Sequence, residues 1–106
     1  MRELTKDADK LICCIYKEYL EKRKSGISKP EAKKLDGNFY KDIKALSNWS
    51  SQDISDTLQE LKKKEYVTRN ILGEITLNEE AIIYMENRFK DGLKEVMDFI
   101  SSLPRI

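Results

Sequence analysis

Cys13 and Cys14 stand side by side in a 106-residue sequence that has no histidine. Neighbouring side chains on a helix diverge by about 100°, so this pair makes neither an ordinary disulfide nor a shared metal clamp. Without imidazole there is no His-containing zinc site and no His-based acid–base pair. No carboxylates cluster at catalytic spacing, and no glycine-rich run matches a phosphate loop. These residues argue against an enzyme and call for no metal and no cofactor. The two thiols read as reduced cysteines, one of them edging the core.

The remaining chemistry is that of surfaces, and its placement depends on the elements. At 40% hydrophobic and 37% charged residues, the composition is that of an ordered, helix-rich single domain over residues 1–106. A core of this size is modest, so self-association would help it. The longest apolar run, Leu11 to Tyr16, is too short to cross a bilayer, and the start Met1-Arg2-Glu3 has no signal-peptide pattern. The expectation is a cytoplasmic protein with no membrane partner. The net charge of +1 gives no global field drawing it to nucleic acid.

Residues 5–24 carry Ala8, Leu11, Ile12, Ile15, Tyr16, Tyr19 and Leu20 at helical spacing, and Gly26 ends the run. Cys14 falls opposite that stripe, exposed unless a second element covers it. Ser28-Lys29-Pro30-Glu31 predicts a capping box and a short helix to Asp36. Phe39, Ile43 and Leu46 mark another. Ser50 and Asp53 then predict the best-defined helix start, with Trp49 stapled to Ile54; that helix runs to Lys64 on Ile54, Leu58 and Leu61. Residues 66–69 and 75–77, with Gly73 between them, predict a hairpin. Asn78 is expected to cap a last helix.

The run Ser51-Gln52-Asp53-Ile54-Ser55-Asp56-Thr57-Leu58-Gln59-Glu60-Leu61, continuing to Val67, resembles the recognition helix of bacterial MarR- and PadR-type regulators. Residues 42–50 resemble their positioning helix and turn. Ile75-Thr76-Leu77-Asn78-Glu79 resembles their exit from the wing. The resemblance spans about residues 39–88, at the level of the winged helix-turn-helix superfamily. Glu65 stands where the pattern has glycine, and the wing tip, residues 70–74, lacks basic residues. The implied fold is mainly α with a small β-hairpin, a winged helix-turn-helix with a core over about 5–78.

In that fold the start of the recognition helix enters the major groove of double-stranded DNA. Ser51, Gln52, Ser55 and Gln59 would face base edges, with Gln suited to adenine. Lys41, Lys44 and Arg69 would touch phosphates. Asp53, Asp56 and Glu60 in the same helix oppose this, since carboxylates near the backbone are costly. The alternative is a winged-helix module that binds another protein, such as an antirepressor or a complex subunit.

The last helix carries Ile82, Met85, Phe89, Leu93, Val96, Ile100 and Leu103 in one stripe up to Pro104. As a single rod over 79–102 it would extend about 36 Å. Its distal half would then need a cover, and a homodimer closing on Phe89, Leu93, Val96, Met97 and Ile100 would supply one. A break at Lys90-Asp91-Gly92, folding the helix back on its own domain, is the other outcome.

Overall fold

A computed structural model describes residues 4–103, so the expected stop at Pro104 lies outside the described residues. Helix α1 spans Lys6–Lys24. Its first turn is capped by the Thr5 hydroxyl, which accepts from the Ala8 N–H at 3.2 Å. Its apolar stripe is buried as the periodicity predicts, save for half-buried Leu20, and so are both cysteines. The second element that covers the Cys14 side is the last helix of the same chain, which packs along α1.

After α1 come a single-turn helix, α2 (Lys29–Ala32), and a two-residue strand, β1 (Lys34–Leu35). Neither the predicted helix to Asp36 nor its capping box forms. Ser28 makes no side-chain cap, and Lys34 and Leu35 pair instead with Thr76 and Ile75. The next predicted helix is two 3-10 turns, Phe39–Asp42 and Lys44–Leu46, broken by extended Ile43. Phe39, Ile43 and Leu46 still reach the core.

Helix α3 runs Ser51–Lys63, and its capping box is complete. The Ser50 hydroxyl accepts from the Asp53 N–H at 3.0 Å and the Asp53 carboxylate accepts from the Ser50 N–H at 3.1 Å. The helix ends in a Schellman arrangement. The Tyr66 N–H donates to the Leu61 carbonyl at 3.0 Å and the Glu65 N–H to that of Lys62 at 2.9 Å, with Glu65 left-handed at φ 66°. A glycine would hold that conformation without its steric penalty. Glu65→Gly is therefore expected to raise stability by about 0.5–1 kcal/mol, seen as a higher urea midpoint. A lower midpoint would refute the assigned cap.

Strands β2 (Val67–Arg69) and β3 (Ile75–Leu77) form the predicted hairpin, and the antiparallel sheet has the order β1-β3-β2. Asn78 precedes the next helix, but its side chain does not cap it. It donates to the Glu65 carbonyl at 2.9 Å and accepts from the Thr68 hydroxyl at 2.8 Å, fastening the base of the hairpin to the end of α3.

The C-terminal segment is two helices, not one rod: α4 (Glu79–Arg88) and α5 (Leu93–Ser102). A straight rod of about 36 Å exceeds every dimension of the domain, 32 × 31 × 29 Å. Phe89 leaves helical geometry at ψ 74°, and Gly92 takes φ 78°, a conformation that glycine adopts freely. The chain folds back and α5 lies on α1. Phe89 and Val96, expected between two copies, are enclosed in the core of their own chain, Val96 completely. Leu93 and Ile100 are half-buried, and Met97 remains exposed. Two of the five residues expected at a dimer seam are thus used inside the monomer, while Leu93, Met97 and Ile100 keep accessible surface.

Candidate nucleic-acid interface

The exposed side of α3 begins at its capping box. With Ile54, Thr57, Leu58 and Leu61 turned inward, Ser51, Gln52, Asp56 and Gln59 are exposed and Ser55 is half-buried. Arg69 reaches this face from β2: its Nη1 lies 3.4 Å from the Ser55 hydroxyl. That is a long, weak contact, but it sets the guanidinium beside the middle of the helix. Lys41 and Lys44 are exposed on the two 3-10 turns. No hydrogen bond or ion pair joins them to the α3 group among the described residues.

The three carboxylates of α3 differ in what they do. Asp53 is held by the backbone of its own cap. Glu60 faces the start of α1, where Oε1 accepts from the Thr5 hydroxyl at 2.8 Å and Oε2 from the Thr5 N–H at 3.1 Å. Both are structural acceptors. Asp56, exposed like Asp53, accepts from the Gln52 amide at 2.8 Å. Gln52 is thereby engaged in the free protein and must exchange that bond to read a base. One turn beyond Gln59 the same side of the helix carries exposed Lys62 and Lys63. The 3.6-residue period could have identified these two cations, since residue 59 projects onto 62 and 63.

The hairpin tip is braced by hydrogen bonds and presents two apolar side chains. The Asn70 side-chain oxygen accepts from the N–H groups of Leu72 at 3.0 Å and Glu74 at 2.9 Å, and its amide donates to Glu74 Oε1 at 2.8 Å. This network presents Ile71, 100% exposed, and Leu72, 79% exposed.

The thiols stand apart from this face. Burial pushes Cys13 up to about 12, helped by the Asp9 charge. Burial also raises Cys14 to about 11, against the pull of Lys10 and Lys17. Both are neutral and poorly nucleophilic near neutrality. In the unfolded chain a thiol loses its proton near pH 9, whereas in the fold it keeps it. Raising the pH above 9 therefore favours unfolding, until the folded-state values near 11 and 12 are reached. Each thiol is expected to contribute a loss of roughly 1 kcal/mol per pH unit in that window. Urea midpoints between pH 8 and 10.5 should fall steeply, and less steeply in Cys14→Ala. Equal slopes in the two proteins would contradict the burial assigned to Cys14.

Among the described residues no group of His, Cys, Asp and Glu is arranged to hold a metal, and no helix is long and apolar enough to cross a membrane. Comparison with protein-family models, with curated proteins and with solved structures finds no match to this chain.

Proposed function

We propose that this chain is a DNA-binding regulator of winged helix-turn-helix type that lays α3 in the major groove. Its topology supports the reading: α1, α2, β1, the turn segment, α3 and the β2–β3 hairpin, with sheet order β1-β3-β2. In such a fold the helix before the hairpin reads bases and the hairpin is the wing. The observation that carries the proposal is the internal use of Asp53 and Glu60. It ties two of the three carboxylates to donors of this chain, although both keep their charge. What remains is Ser51, Gln52, Ser55 and Gln59 beside Arg69, with Lys62 and Lys63 at the far end. Hydroxyls and amides read base edges, and the cations anchor phosphates.

Fluorescence anisotropy with a labelled duplex tests this at about 50 mM salt, where electrostatic affinity is strongest. Binding is expected to weaken steeply toward about 200 mM salt. Arg69→Ala should weaken it severalfold on every sequence, as loss of a phosphate contact does. No binding at low salt would overturn the proposal.

The exposed Ile71–Leu72 tip favours a second reading, a module that docks on another protein, because apolar side chains held rigidly in water mark contact surfaces. Under that reading Ile71→Ser with Leu72→Ser abolishes partner binding. Under the first, the double variant keeps its affinity for DNA to within about twofold.

A further inference from the structure

A cleft of about 700 Å³ opens between α1, the 3-10 segment and α5, within the range of about 300–1,000 Å³ that small-molecule sites occupy. On α1 its wall carries Lys10, Cys14 and Lys17, three residues on one helical face. Lys17 is neutralised by Glu21 at 3.1 Å and Glu18 at 3.7 Å. Lys10 differs. It is only 9% exposed, its ammonium lies 5.9 Å from the Trp49 ring centroid, and among the described residues it has neither a hydrogen bond nor an ion pair. Its stem is enclosed while its ammonium keeps contact with solvent, held at the lip of a recess. Lys44 adds a second cation there, and Asp42 is the one carboxylate in the lining besides Glu18. Once Glu18 is spent on Lys17, the recess has an excess of one positive charge. The rest of its lining mixes apolar Ile43, Ala45, Met97, Ile100 and Leu103 with polar Ser47, Asn48 and Ser101.

We propose that this cleft binds a small amphipathic monocarboxylate. The carboxylate accepts from Lys10 Nζ, and the hydrocarbon lies on Ile43, Met97 and Ile100. The Asp42 charge disfavours a dianion, and the apolar surfaces disfavour a bare inorganic anion. The site is separate from the polar face of α3 and stands whether or not that face binds DNA.

Octanoate and 1-octanol, titrated separately into the ¹⁵N-labelled protein, test it. Octanoate should shift the amides of Lys10, Cys14, Met97 and Ile100, and should bind about tenfold or more tightly than the alcohol, the ratio expected of one charge-assisted contact. Lys10→Met keeps the apolar stem over Trp49 and should reduce octanoate affinity to that of octanol, while Lys90→Met on the α4–α5 turn should leave it unchanged. Equal affinity for acid and alcohol, shifts confined to other surfaces, or no saturable binding would each overturn the proposal. The comparison of acid with alcohol on the unaltered protein decides the matter even if Lys10→Met does not fold.

Discussion

Val96→Asp is expected to detach α5 from the domain and to cost more than about 4 kcal/mol. Val96 is completely buried, in the middle of the helix that lies along α1. A carboxylate there would enter an apolar layer that includes Phe89 with no partner supplied. The chain has two ways out. It can release α5, exposing the α1 side that carries Cys14, or it can unfold. Both appear as lost amide-exchange protection across residues 93–102, together with a large drop in the urea midpoint. Val96→Ala removes volume without inserting charge and should cost about 1–3 kcal/mol, keeping α5 docked. If Val96→Asp instead folds with wild-type protection in α5, the enclosure of this helix within the monomer is wrong.

Arg88→Ala should have the second-largest effect, about 2–3 kcal/mol. Arg88 ends α4 where the chain turns, and it joins that turn to the first turn of α1. Its Nη2 donates to Asp9 Oδ2 at 3.0 Å, while Nη1 donates to Oδ1, a bidentate pair. The guanidinium also lies 4.8 Å from the Phe89 ring centroid and 4.6 Å from that of Phe99, and the two rings are 5.5 Å apart. The Asp9 bond leads the causes that hold the Arg88 pKa above its ordinary range. Side-chain exposures of 25% and 27% place the pair between a surface bridge of little value and a fully enclosed one. Arg88→Lys cannot reproduce the fork or the stacking and should recover less than half of the loss. A double-mutant cycle with Asp9→Ala should give a coupling of about 1–2 kcal/mol. A coupling near zero would show that the rings, not the ion pair, do the holding.

Local features of the chain were legible in the sequence, and long-range ones were not. The α1 stripe, the Ser50–Asp53 box and the β2–β3 hairpin each follow from residues within one or two turns of one another, where spacing carries the information. Strand β1 escaped because two residues have no periodicity; Lys34 and Leu35 are strand only because β3 pairs with them. The 3-10 turns kept their buried residues but lost the expected geometry at Ile43. Asn78 has the residue type of a helix cap, yet tertiary partners at Glu65 and Thr68 take its side chain. The contacts Arg88–Asp9 and Glu60–Thr5 span 79 and 55 residues, and no local pattern announces them. In the last helix the break at Lys90-Asp91-Gly92, the second of the two outcomes the residues allow, is the one that forms. A stripe drawn through residues 82–103 assumes an unbroken phase, and the turn at Gly92 resets it. After the reset Phe99, absent from that stripe, packs on the core, and Val96 turns inward to its own chain.

The proposed function places double-stranded DNA against α3 and the base of the hairpin. Amide shift mapping of the ¹⁵N-labelled protein on adding a duplex at about 50 mM salt tests it most directly. The largest shifts are expected on Ser51, Gln52, Ser55, Gln59 and Arg69, with smaller ones on Lys62 and Lys63. Shifts that leave α3 untouched, or a spectrum unchanged by saturating DNA, would contradict it.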